Sequence, residues 1–201
     1  VDPRQYFKEY SGPLPLPREK RFLYCPKCGG DMKTVLVEGY ERDKCRDCGF
    51  LHYQNPKPGV VVQIRRGDSV LLGKRRGTVA FGKWCLPGGF INFEEDYLTA
   101  AHREIREETG LEIEITGIIS VVSNFFLPEM HTLVVVLSGV PAGGELRAGD
   151  DLGEVDWFPL EGPLPPLAFE SDAHILERTA AGDAAPTPID PRFKIVREDK
   201  V

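Results

Sequence analysis

The chain has 201 residues, of which 41% are hydrophobic and 28% charged, enough for one substantial core and a small appendage. A formal charge of −6 excludes a protein that coats its whole surface with nucleic acid, and no apolar run approaches the roughly 18–20 residues of a membrane span. Five cysteines, four of them in two C-x-x-C pairs, point to metal binding in a reducing compartment, the cytoplasm, rather than to a disulfide framework.

The first ten residues, VDPRQYFKEY, contain no signal-peptide apolar core, and the chain starts at Val1, which leaves open whether a leader precedes it. SGPLPLPREK at 11–20 is too rich in proline for helix or central strand, so 1–24 reads as an arm. Residues 25–54 hold both cysteine pairs, and NPKPG at 55–59 reads as a connector. VVVQIRR and SVLLGKR flank Gly67-Asp68, a hairpin signal, and WCLPGGFIN carries a short strand broken at Pro87-Gly88-Gly89. Asp96 to Thr109 is predicted helical, with Leu98, Ala101 and Ile105 as its buried stripe and Gly110 as its stop.

LEIEITGIISVVS, HTLVVVLSGV and EVDWF alternate or run apolar as strands do, and ESDAHILERTAAG is a second predicted helix. A mixed order of strands with two helices predicts an α/β sandwich over 55–182. PTPIDPRF and the residues after it form a tail, poorly ordered or bound to the surface, within 183–201.

Cys25, Cys28, Cys45 and Cys48 stand in the pattern C-x2-C-x16-C-x2-C, the spacing of a zinc ribbon. A glycine follows each pair, as a tight turn around thiolate sulfur requires. Four thiolates leave Zn²⁺ no open position, so the site is structural rather than catalytic. Cys85, between Trp84 and Leu86, is expected in the core.

The first helix poses a conflict. Glu104, Glu107 and Glu108 share one face near its C-terminal end, where unpaired carbonyls disfavour anions by about 0.3–1 kcal/mol each. Glu104 and Glu108 also repel each other at i, i+4. That face is expected roughly opposite the Leu98–Ala101–Ile105 stripe. A solvated acidic face is the plain alternative, but a divalent cation resolves the conflict: Mg²⁺ or Mn²⁺ takes hard oxygen ligands and shares its shell with substrate phosphates.

From Gly89 the sequence reads G-x5-E-x7-R-E-I-x-E-E-x-G-L through Glu95, Arg103, Glu104, Ile105, Glu107, Glu108, Gly110 and Leu111. This resembles the Nudix box at every specified position. With seven fixed residues, each at a background of roughly 5–10%, a chance match is on the order of one in a hundred million. The resemblance implies a Nudix hydrolase, an α/β/α sandwich that cleaves a nucleoside diphosphate linked to a further group X. It implies Glu104, Glu107 and Glu108 as ligands of Mg²⁺ or Mn²⁺, Arg103 as the residue orienting a box carboxylate, and Glu95 as support. The backbone at Gly88 and Gly89 would approach metal and phosphates without a Cβ in the way. The proton acceptor stays open among a box glutamate, Asp151 and Glu154.

The ribbon leading through HYQNPKPG into the box is similar to zinc-ribbon Nudix proteins, among them NADH and FAD pyrophosphatases. The S-Q-P-W-P-F-P-x-S array of NADH pyrophosphatases is absent, with SNFFLPEMH at 123–131 in its place, while LAFES at 167–171 is closer to the FAD branch. The resemblance therefore implies a dinucleotide such as FAD or NAD(H), or ADP-ribose, as substrate, and a homodimer. Phe125, Phe126 and His131 are candidate substrate contacts, against the plainer reading of strand-end packing. Rival readings are an oxidised-nucleotide or RNA 5′-end pyrophosphohydrolase, and a zinc-ribbon regulator that reads nucleic acid. Seven Lys/Arg against five Asp/Glu between Lys20 and Cys48 is too small an excess for a phosphate track, which weighs against the regulator.

Overall fold

Gly67 and Asp68 make the turn their sequence dictates, with Arg66 opposite Ser69 and Arg65 opposite Val70. Gly67 sits at φ 60°, the left-handed region that favours glycine. The computed structural model describes residues 5–7, 22–127, 130–190 and 192, and for 5–7, 126 and 127 the backbone alone. In chain order the strands are β1 (Gln5–Phe7), β2 (Met32–Val37), β3 (Tyr40–Cys45), β4 (Leu51–His52), β5 (Lys57–Arg66), β6 (Ser69–Arg75), β7 (Trp84–Cys85) and β8 (Gly88–Phe90). Helix α1 (Tyr97–Thr109) follows, then β9 (Leu111–Leu127), β10 (Met130–Gly144), β11 (Leu152–Pro159) and helix α2 (Glu170–Ala180).

Two compact units result. One holds Pro58–Asn124, Thr132 onward and the strand at Gln5–Phe7; the other holds the cysteine region up to Lys57 together with Phe125–His131.

The first unit is built on the sheet order β1-β9-β10-β5-β6-β11, with β7 on β6 and β8 on β5. Alternation along β5 and β6 divides the side chains between two faces. Val60, Val62, Ile64 and Leu71 join Leu98, Ala100, Ala101 and Ile105 of α1 in one apolar cluster. Val70 and Leu72 join Ile175 and Leu176 of α2 in the other. This is the expected α/β/α sandwich. Each fully buried aliphatic side chain, Ile105 among them, stabilises the fold by about 1.5–3 kcal/mol. Gln63, buried on the α2 side, donates to Thr179 Oγ1 at 2.9 Å and so is not an orphan in that layer.

Asp96 caps α1, accepting from the N–H groups of Leu98 and Thr99, and Gly110 ends it at φ 70°. Several expectations need correction. The connector at 55–59 is shorter than expected, because β5 already begins at Lys57. Proline is tolerated near that strand's start, and at Gly59 a Cβ would come 3.2 Å from the Gly89 carbonyl oxygen across the β5–β8 pair. The 1–24 arm contains β1, a three-residue edge strand parallel to β9, whose pairing comes from its partner rather than its own pattern. SGPLPLPREK lies outside the described residues. The tail is bound as far as residue 190: Thr187 exchanges two backbone hydrogen bonds with Ile118, and Ile189 enters the α1-side core.

The acidic face of α1 is not opposite its apolar stripe. At roughly 100° per residue Glu108 falls beside Ala101, and only Glu107 points well away. Glu108 is 3% exposed and Glu104 8%, so two of the three carboxylates are buried.

The second unit carries the antiparallel sheet β2-β3-β4 and the four paired cysteines. No helix among the described residues is long and apolar enough to cross a membrane.

Candidate active site

Helix α1 ends with carbonyls that no further turn can satisfy. The loop before β11 meets them: the N–H of Arg147 donates to Thr109 O and the N–H of Gly149 to Glu108 O, both at 2.9 Å. Gly149 is required there, since a Cβ would stand 2.2 Å from Glu107 O. The next residue, Asp150, takes φ 48°, which aspartate tolerates better than most side chains. Through this latch the oxygens of Glu104, Glu107 and Asp150 lie within 4.8 Å of one another.

Arg103 organises the other side. Its guanidinium bonds Glu95 twice, donates from Nη1 to Glu104 Oε1 at 2.9 Å and to Glu107 Oε2 at 3.0 Å, and reaches Phe90 O at 3.1 Å. These bonds hold Glu95 below the usual carboxylate range. Glu104 is shifted the other way, because burial outweighs Arg103, and Glu107 and Asp150 add repulsion.

Glu108 is set deeper. Its Oε2 accepts the Gly88 N–H at 2.7 Å, yet its pKa is pushed up to about 10, first by burial and then by Asp151. Gly88 sits at φ 142°, and a Cβ there would come 2.2 Å from Val60 O. At Gly89 a Cβ would stand 2.5 Å from Glu104 Oε1. The pair of glycines forms a cradle that any side chain would fill.

The two later acids divide from the cluster. Asp151 Oδ2 accepts from Arg75 Nη2 at 3.2 Å, and its Oδ1 is buried without a donor. With Glu108 as its carboxylate neighbour, the two can bond only by sharing a proton. Glu154 lies outside the cluster, in an exposed ion pair with Lys74 at 3.1 Å. Sequence reasoning missed Asp150, although the run Gly149-Asp150-Asp151 held the signal. It also missed Arg75, which bonds Val79 O at 2.9 Å, lies 3.9 Å from Cys85 Sγ and sits under the Phe169 ring. Cys85 is in the core as expected, its thiol pushed up by burial.

The remaining candidates belong to the other unit. Phe125 and His131 stack on each other, centroids 4.3 Å apart and planes 14° from parallel. Phe126 lies in β9, and its side chain lies outside the described residues. The Sγ atoms of Cys25, Cys28, Cys45 and Cys48 all lie within 4.8 Å of one another, and none is in a disulfide. The N–H groups of Lys27, Asp47 and Cys48 point at sulfur, and Gly29 and Gly49 take φ 77° and 74°. The N–H of Cys48 leads in lowering Cys45 to about 7, which favours a thiolate.

A mixed sheet between two helices, with carboxylates gathered at one helix end, is the arrangement of a Nudix hydrolase, a class of pyrophosphohydrolase that uses divalent metal. The chain belongs to the Nudix family, whose NUDIX domain matches residues 55–179. Among its relatives, an ADP-ribose pyrophosphatase of Methanocaldococcus jannaschii is 37% identical over 60% of this chain and 71% of its own length. An NAD-capped RNA hydrolase NudC of Pseudomonas aeruginosa is 30% identical over 83% of this chain, which spans only 59% of that relative's length. In structure, a NUDIX hydrolase from Nitrosomonas europaea superposes with a TM-score of 0.72 at 30% identity, covering 80% of this chain and 91% of its own.

Proposed function

We propose that this protein hydrolyses the diphosphate of an adenosine diphosphate linked to X, such as ADP-ribose, NAD(H) or FAD, releasing AMP, with Mg²⁺ or Mn²⁺. The single observation that carries this reading is the cluster of Glu104, Glu107 and Asp150 beside the Gly88-Gly89 cradle. The donor set is all hard oxygen, as these ions prefer, and the cradle leaves space for phosphate where a Cβ would obstruct it. The relatives named above favour an ADP-ribosyl substrate, since ADP-ribose and an NAD cap both contain that diphosphate.

Glu104, Glu107 and Asp150 would hold the metal, with Glu108 as a further ligand once deprotonated. A bound divalent cation neutralises diphosphate charge and lowers the pKa of its water. Arg103 keeps Glu104 and Glu107 aimed at the site while leaving each an oxygen for coordination. Glu95 fixes Arg103 in turn. Burial and the neighbouring Asp151 favour the protonated form of Glu108, so it would have to release that proton, as a nearby divalent cation favours, before it could take one from an attacking water. We assign Zn²⁺ to the four cysteines as a structural ion, and infer a homodimer in the cytoplasm.

The test is a hydrolysis panel of ADP-ribose, NADH, FAD, diadenosine polyphosphates and nucleoside triphosphates, with Mg²⁺ and with Mn²⁺. An ADP-linked dinucleotide or ADP-ribose is expected to give the highest kcat/KM. A higher value for a nucleoside triphosphate would overturn the substrate reading and leave the family intact.

A further inference from the structure

The small excess of basic residues in the cysteine region conceals a segregation that strand pairing creates. In the β2–β3 register Lys33 stands opposite Lys44, Val35 opposite Arg42 and Val37 opposite Tyr40. Directly paired residues share a face, and alternation puts their neighbours on the other. Lys33, Arg42, Lys44 and Tyr40 therefore lie together. Thr34 with Asp43, and Leu36 with Glu41, lie on the reverse. Both carboxylates within the three strands are on that reverse face, while Asp31, just before β2, continues the first face, its carbonyl accepting from the Arg46 N–H at 3.0 Å.

Three further observations point to an anionic, aromatic partner. Lys33 and Lys44 are both exposed and directly opposed, a like-charge pair that destabilises a sheet unless an anion bridges it. Arg42 lies over two rings, 4.4 Å from the centroid of Tyr53 and 5.6 Å from that of Tyr40, so both tyrosines belong to the same face. The rings are nevertheless open to solvent, Tyr40 at 67% and Tyr53 at 50% exposure, and Arg42 Nε is buried with no acceptor. Exposed rings interleaved with cations, on a face where basic residues outnumber acids, are the elements of a surface on which bases stack while phosphates are neutralised.

We propose that this face of the β2-β3-β4 sheet binds single-stranded nucleic acid, with Lys33 and Lys44 on phosphate and Tyr40 and Tyr53 stacking on bases. The proposal is independent of the hydrolytic reading, and its test avoids the diphosphate altogether.

The probe is a fluorescent single-stranded RNA of about a dozen nucleotides, a length within single-strand site sizes, carrying a 5′-hydroxyl. Its anisotropy is followed with the full zinc-loaded chain. Binding is expected to weaken with salt, with a log–log slope of about −1.4 for two neutralised phosphates. Lys33→Gln/Lys44→Gln should weaken it at least about tenfold and flatten the slope, and Tyr53→Ala should weaken it by about five- to a hundredfold. The double lysine variant removes a repulsion, so it should keep its zinc and fold at least as stably as the parent. Hydrolysis of ADP-ribose by these variants should be unchanged, which separates this proposal from the catalytic one. Absence of salt-dependent binding, or equal binding by the double lysine variant, overturns the proposal. Tighter binding to anionic lipid vesicles than to the RNA overturns it in favour of a membrane surface.

Discussion

The N–H of Gly88 donates to Oε2 of Glu108 at 2.7 Å, tying the β8 turn to the last turn of α1. The bond joins the residue just before the box to a box glutamate 20 residues on, and Gly88 makes it at a φ of 142°. Gly88→Ala should therefore destabilise the protein by about 1–3 kcal/mol or more, because strain and a clash with Val60 O act together. Gly89→Ala should keep more of the stability and lose turnover, since its new methyl meets the side-chain carboxylate of Glu104 rather than backbone. Thermal melts beside kcat for the two variants would check this; equal loss of stability in both would refute it.

Glu104→Gln should lower kcat by about two orders of magnitude or more, as loss of a metal ligand forfeits several kcal/mol of charge stabilisation. The same variant should melt higher than the parent in chelator, because Glu104 is buried beside Glu107 and Asp150. Turnover near that of the parent at saturating Mg²⁺ would remove Glu104 from the site.

Asp150 and Glu154 separate the two readings of the later acids. Asp150→Asn should reduce both kcat and the affinity for Mn²⁺, measured by titration of the ion. Glu154→Gln should stay within about twofold of the parent, since an exposed ion pair such as Lys74–Glu154 is worth only ~0–1 kcal/mol. The reverse ranking would return Glu154 to the candidates.

Asp172 predicts a pH dependence outside the catalytic cluster. It is buried in the first turn of α2, accepts the Leu86 N–H at 3.0 Å, and has its pKa raised by burial from 3.8 to about 7. The folded protein thus holds this proton more tightly than the unfolded chain. Its contribution to stability is complete below pH 3.8 and is lost as pH rises through about 7. The melting temperature should fall over that window, and Asp172→Asn, which can still accept from Leu86, should fall less. Parallel slopes in the two proteins would show that Asp172 does not titrate there.

Cys25→Ser or Cys48→Ser should abolish stoichiometric zinc and unfold the β2-β3-β4 sheet, because metal binding at such a site is folding free energy. Metal analysis and amide exchange in that segment provide the check. Parent protein purified without chelator and free of zinc would refute the assignment.

Features carried by local periodicity were legible in the sequence. The i, i+3, i+4 spacing of Glu104, Glu107 and Glu108, the Gly110 stop, the Gly67-Asp68 turn and the C-x-x-C spacing all follow from geometry within a few residues along the chain. Helix and turn geometry are properties of neighbouring φ and ψ angles, so the residues concerned specify them without help. Tertiary structure alone decided the rest. Glu108 is buried rather than solvated because β8 and the Asp151 loop close over it. Asp150 rather than Glu154 joins the carboxylates because the loop before β11 spends its N–H groups on the end of α1. The basic face of β2 and β3 exists only once their register is set, since a one-residue slip would send Lys33 to the side of Glu41 and Asp43. Desolvation and charge pairing depend on what packs against a residue, and that information is distributed over the whole chain.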